Sequence, residues 1–338
     1  MRGRRRRQRG VRDRLNAGNG NDLYVIQTAD IDVPNIDAGS GGNNNDVMRS
    51  ELTVDTGEWD IRTNEPHAFR ISGSANTVDF GNIETVEGSD TNSDEFEIDG
   101  DASGEIISVS GRGGVDTFLI DTASASAVLN GGESGDIFNF RVSDVNYQAA
   151  INGDGGGDEF QINANNISAN ISGTDASGNT LTGHVVANIW TLNEQFDGTL
   201  ENGSGTINFS EIQTLNGNSA EDSLVGRNQE NTWLITAANA TAGVDGSVSF
   251  TGDTTDQVVY TGMEILAGGT DNDTFNFNAN TYAVTVRGDA NTATNAADTD
   301  TIQGPDAENF WQIDGDESGW LDSLVSANGD DAIQFTDI

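Results

Sequence analysis

The chain of 338 residues has no cysteine, and no lysine is found on reading along it. The absence of cysteine excludes disulfide stapling, thiolate metal sites and cysteine nucleophiles. Proline occurs only 3 times, so Pro-rich linkers do not divide the molecule. No stretch of 18 apolar residues exists, and no transmembrane helix is expected. Apolar residues spaced at i, i+3, i+4 and i+7 are nowhere sustained. Abundant Thr, Asn, Gly and Asp also suppress helix formation, so the expected class is all-β. Hydrophobic residues make up 34% and aromatics 7%, sparse for a globule of this length.

The charges are lopsided. All 15 basic residues are Arg, set against 55 Asp and Glu for a net charge of −40. Eight of the Arg fall in the first 14 residues, MRGRRRRQRGVRDR. Residues 1–17 are read as a disordered Arg-rich arm and 18–338 as a single repeat domain within a longer native chain. The arm is either a charge tether for anionic polymers or a terminus without a role. The remainder carries 7 Arg against 54 acids. Such a body repels nucleic acid and anionic membranes and attracts cations, so no nucleic-acid partner is expected for it. The start lacks the apolar core of a signal peptide.

What the sequence does have is a recurring phrase: an acidic residue, a spacer, an aromatic or leucine, a spacer, an aliphatic or Phe. It reads DLYVI at 22–26, DEFEI at 94–98, DTFLI at 116–120, DIFNF at 136–140, DEFQI at 158–162 and DTFNF at 273–277. The large residue recurs at Phe96, Phe118, Phe138, Phe160 and Leu181, in steps of 20 to 22 residues, with Leu224 two further steps on. Gly, Asn and Asp turns precede each phrase, and short β-branched runs precede the turns. A fixed period with two short strands per unit predicts a right-handed parallel β-helix of about 20–22 residues per coil. The Phe column would face inward, with second rungs at Ile98, Ile120, Phe140 and Ile162.

A longer repeat overlies the short one. Trp59, Trp190, Trp233 and Trp311 head the segments EWDI, IWTL, TWLI and FWQI. Each is followed by a second phrase: FGNIETVEG at 80–88, FSEIQTLNG at 209–217, YTGMEILAG at 260–268 and FTDI at 335–338. The four Trp sit in alternating hydrophobic strands and are expected to fill the core, with exposed sugar-stacking platforms as the other reading.

These segments, above all NTWLITAANATAGVDGSVSFTG at 231–252 and MEILAGGTDNDTFNF at 263–277, resemble the very large bacterial exoproteins of the haemagglutinin-like and haemolysin-type repeat adhesins. The pattern extends over most of residues 18–338. The resemblance implies a secreted or surface-anchored β-helix used for adhesion, biofilm matrix or cell-surface extension. Expected partners are cell-surface or polysaccharide ligands, or further copies joined end to end.

The Gly/Asp corners also resemble degenerate calcium repeats: GGESGDIF at 131–138, GDGGGDEF at 153–160 and GGTDNDTF at 268–275. Asp116, Asp136, Asp158, Asp271 and Asp273 are the candidate calcium ligands. Alternatively each Asp opens a strand or caps a turn. A calcium-loaded module that folds on secretion is therefore a second functional reading, and a β-helix carbohydrate-active enzyme a third. Catalysis finds little to use. His67 and His184 share no metal or triad spacing and read as surface or loop residues, and Arg112, beside the Asp116 corner, is the best-placed basic group. The chain is expected not to be an enzyme.

Overall fold

The computed structural model describes residues 14–28, 35–39, 45–53, 55–62, 66–74, 76–100, 106–175, 178–218, 221–239, 243–250, 253–289, 299–315, 317–323 and 332–338. Most of the expected arm, residues 1–13, lies outside them, while Arg14–Asn16 of the same segment is already a strand. Among the described residues there is no helix. The described residues form thirty-two strands in two sheets of sixteen, in which most neighbours run parallel.

Alternation explains both sheets. Thr117–Ile120, Ile137–Phe140 and Glu159–Ile162 each bury every second residue, and those residues are the large apolar ones. In the first sheet Phe96, Phe118, Phe138, Phe160 and Leu181 are consecutive in-register partners, as are Ile98, Ile120, Phe140 and Ile162 one step along. The four Phe rings stack at centroid separations of 4.9, 4.6 and 5.0 Å, tilted by 15° or less. Parallel strands at about 4.8 Å set that spacing, so each ring meets its equivalents above and below. The second sheet carries an aliphatic column of Val86, Val109, Leu129, Ile151 and Ile171. Successive strands between residues 108 and 162 alternate between the sheets, and the apolar core lies between them.

The sheets are not parallel throughout. Four three-stranded antiparallel meanders interrupt them, each opening with one of the four Trp phrases. Two lie in the first sheet: Gly57–Ile61, His67–Ile71 and Thr77–Gly81; then Asn231–Ala238, Val244–Phe250 and Asp253–Met263. Two lie in the second: Asn188–Glu194, Asp197–Asn202 and Gly205–Ser210; then Asn309–Gly315, Ser318–Ser323 and Ile333–Thr336. The second phrase of the longer repeat begins at the end of each meander's third strand and, in the first three copies, runs on into the next strand, Thr85–Glu87, Thr214–Asn216 or Ile265–Gly269, in the other sheet.

The insertions correct the expected column in one place. The partner of Leu181 is Leu215, 34 residues on, because the meander at 188–210 intervenes. Leu224 belongs to the other sheet, between Trp190 and Leu266. Trp59, Trp190 and Trp233 are buried as expected, with Trp59 stacked on Phe96 and Trp233 on Phe275. Trp311 departs from them and is 42% exposed. His67, expected near the surface, is buried: it packs against Phe80, and its Nδ1 accepts the Arg62 amide. Its place opposite Phe80 in the first meander turns it inward.

Candidate functional site

The corners between strands share one spacing: a glycine, four residues, then Asp or Asn. It holds for Gly111 and Asp116, Gly131 and Asp136, Gly153 and Asp158, Gly183 and Asn188, Gly217 and Asp222, Gly226 and Asn231, Gly268 and Asp273, and Gly304 and Asn309. The glycine is required by space. The position a β-carbon would take on Gly111 lies against Asp116 Oδ2 and the carbonyl of Gly131, with the same arrangement at Gly131 and at Gly268. In four of these corners two residues adopt left-handed backbone: Arg112 and Gly114, Gly132 and Ser134, Asp154 and Gly156, Gly269 and Asp271. The Gly-rich composition that resembles a calcium repeat thus meets a backbone requirement of its own.

The Asp and Asn side chains turn inward and form ladders. The amide of Asp94 donates to Asp116 Oδ1 at 2.6 Å, that of Asp116 to Asp136 Oδ1 at 2.8 Å, and that of Asp136 to Asp158 Oδ1 at 2.9 Å. Asp158 continues to Asn179 Oδ1 at 2.8 Å, and Asn179 to Gln213 Oε1 at 2.7 Å. A second ladder links Asn188 to Asp222 and then to Glu264. A third runs from Asn231 to Asp273 and on to Asp300. Each rung satisfies a backbone amide at the first residue of a strand or the one just before it.

The second carboxylate oxygen defines the chemistry. In two asparagine slots Nδ2 donates to a main-chain carbonyl of the next repeat, Asn179 to Glu211 at 3.0 Å and Asn231 to Gly268 at 2.8 Å, whereas Asn188 Nδ2 donates to the His184 and Val186 carbonyls and to Asp222 Oδ1. Where the slot holds aspartate, Oδ2 occupies the same place beside the equivalent carbonyl, Gly131 for Asp116 and Gly153 for Asp136. Oδ2 of Asp116, Asp136, Asp158, Asp222 and Asp273 is buried with no hydrogen-bond partner. A bare Oδ2 has no donor to accept from there, whereas a protonated one could itself donate. Burial, aided by the neighbouring Asp136 and Asp94, pushes Asp116 up to about 8. Burial likewise takes Asp273 to about 8, Asp136 and Asp222 to about 7, and Asp94 and Asp158 to about 6. A neutral carboxylic acid accepts at Oδ1 and donates at Oδ2, as the asparagine amide does.

Of the five candidate ligands, Asp116, Asp136 and Asp158 come together in one column and Asp273 lies in another, all buried. Asp271 stands apart, exposed at a left-handed corner position. Among the described residues no group of three or more His, Cys, Asp or Glu is placed to hold a metal ion. Asp94, which opens the acidic phrase at 94–98, joins the ladder beside the candidate ligands, and Asp222, Asp300 and the Asn of the same slots are ladder members outside that phrase. The glycine five residues earlier is the signal that finds Asp222, Asn188 and Asn231, while Asp94, Asn179 and Asp300 lack it. Arg112 points its Nη2 at Asp90, 2.6 Å away, and Nε lies 3.9 Å from Glu87. Arg141 pairs with Asp121 and Glu97. No family model matches this sequence, and no curated protein matches it.

Proposed function

We propose that the chain is a right-handed parallel β-helix of about 21 residues per coil, serving as an elongated structural module of a secreted or cell-surface bacterial adhesin or biofilm-matrix protein. The carrying observation is the in-register column Phe96, Phe118, Phe138, Phe160 and Leu181, repeated by an aliphatic column in the facing sheet. A structure built this way grows along one axis, each repeat touching only its neighbours, and it suits spacing and presentation. Outward positions between the Phe rungs carry polar groups such as Asn139, Gln161 and Thr182. With the acidic excess, they give a hydrated surface suited to neutral or cationic surface polymers. The resemblance of the Trp and Gly/Asp phrases to exoprotein repeats supports the secreted setting.

The inward turn of the ladder carboxylates favours protons over calcium as their occupants. Melting of the purified protein is therefore expected to be the same in EDTA and in millimolar calcium; a large calcium-induced gain in β-signal or melting temperature would favour the calcium module. The adhesive role is tested by retention of the chain on immobilised bacterial polysaccharides and on whole cells. Binding to at least one such surface is expected, and none would reduce the role to a spacer. Cleavage of acidic polysaccharides that disappears in Arg112→Ala would contradict the non-enzymatic reading.

A further inference from the structure

Trp320 is the one tryptophan outside the four Trp phrases. It lies on Ser318–Ser323, the middle strand of the fourth meander, with Gln312 opposite it on one side and Gln334 on the other. Its neighbour Leu321 is fully buried, so alternation turns Trp320 to the outer face of the sheet, where it is half-buried. We propose that this face binds neutral oligosaccharides, with Trp320 as the platform on which a pyranose ring stacks and Gln312 and Gln334 as the groups that bind its hydroxyls.

The equivalent position in the other meanders identifies the ring as an addition. In each meander this position faces the residue that follows the Trp of the phrase. Ala68 faces Asp60, Thr199 faces Thr191 and Ser247 faces Leu234, where Trp320 faces Gln312. Three small residues complete the same strand arrangement, so the fold does not call for a large aromatic ring there. Strands flank Trp320 on both sides, and its exposure belongs to the outer face of the sheet and not to an edge.

The surroundings fit a sugar. A groove of about 720 Å³, within the usual range of small-molecule sites, is lined by Trp320, Gln312, Asp314, Gln334, Thr285 and Thr336. Phe310 supports the Trp320 ring, with centroids 5.2 Å apart and planes inclined at 34°. Gln312 Nε2 donates to Asp314 Oδ1 at 2.6 Å, which holds that amide in the wall of the groove. A pyranose has an apolar C–H face and a rim of hydroxyls that both donate and accept. The indole covers the first. Glutamine amides in register on either side, each with donors and an acceptor, meet the second.

Charge and polarity narrow the ligand. Among the described residues that line the groove, Asp314 is charged and none is basic, which disfavours uronic acids and sulfated or phosphorylated sugars. Polar side chains surround the ring, whereas the aromatic anchor of a protein partner sits in an apolar, desolvated pocket. This site rests on the adhesive reading and gives it a ligand class.

The test is isothermal titration calorimetry of the full chain with cellohexaose, laminarihexaose and galactotetraose, and with tetragalacturonate as the anionic counterpart. At least one neutral sugar is expected to bind, with the same affinity at low and high salt, and tetragalacturonate is expected not to bind. Trp320→Ala should weaken the binding by about tenfold or more, and Trp320→Phe by less because a ring remains. Gln334→Ala, at an exposed position, should weaken it while circular dichroism and melting stay those of the parent. Binding of no neutral sugar, tighter binding of tetragalacturonate, or parental affinity in both Trp320→Ala and Gln334→Ala would overturn the site. Adhesion is read separately, by retention on whole cells. Retention without binding of any neutral sugar removes the site and keeps the adhesive role; sugar binding that is lost in Trp320→Ala, without retention on cells, keeps the site and removes the adhesive role.

Discussion

At the scale of single residues, the ladder aspartates are the unusual feature, since buried carboxylates ordinarily lie beside a cation. Here asparagine takes the same slot in neighbouring repeats, and burial raises the aspartates toward the neutral acid, the form that can donate as an amide does. The pH consequence has a definite sign. Asp116 and Asp273 are raised from an ordinary 3.8 to about 8, and Asp136 and Asp222 to about 7. The folded state therefore holds protons that the unfolded chain releases above about pH 4. Stability is expected to be fully present below that value and to decline as the pH rises toward 8, as measured by urea denaturation at pH 5 and pH 8. Asp116→Asn should lessen the decline, because the amide supplies the Oδ2 proton permanently. Asp136→Ala should cost about 1–3 kcal/mol at pH 5, since it strips the Asp116 amide of its acceptor. Gly111→Ala is expected to destabilise by about 1–3 kcal/mol, through collision with Asp116 and the Gly131 carbonyl. The acidic phrase was legible in the sequence, but its direction was not. An Asp that opens a strand and an Asp that binds calcium carry the same letter, and only the glycine five residues before it reveals that a side chain folds back into that space.

At the scale of strands, the Phe period could be read directly because repeats of constant length keep large rings in one column. Phe138→Ala opens a gap between Phe118 and Phe160 and is expected to cost about 3–5 kcal/mol in chemical denaturation. The tryptophans separate by environment: Trp233→Ala should destabilise strongly, as Trp233 stacks on Phe275, whereas Trp311→Ala at the open end should cost much less. The antiparallel meanders were the main feature that the period concealed. A meander places its Trp strand beside the next parallel phrase, so the apolar pattern looks continuous while the repeat lengthens from about 21 residues to 34 or more. A local signal was present at Asn202-Gly203-Ser204-Gly205, where a two-residue loop with Gly203 at φ 66° joins Asp197–Asn202 to Gly205–Ser210. Such Gly-containing loops between alternating strands mark hairpins.

At the scale of the whole molecule, a sparse apolar complement supports a large structure because it is spent in columns. Each buried ring serves two neighbours, and each ladder group satisfies the backbone of the repeat before it. The acidic surplus is left largely on the surface, where it repels association along the sides. The absence of native cysteine permits a direct test of the repeat register. Leu119 and Asn139 are in-register partners, as are Asn139 and Gln161. The pairs Leu119→Cys with Asn139→Cys, and Asn139→Cys with Gln161→Cys, should each form an intramolecular disulfide under mild oxidation. Leu119→Cys with Gln161→Cys, two strands apart at about 9.6 Å, should remain reduced. Cross-linking of the distant pair as readily as the adjacent ones, or of none, would contradict the stacked repeats on which the fold and its proposed role depend.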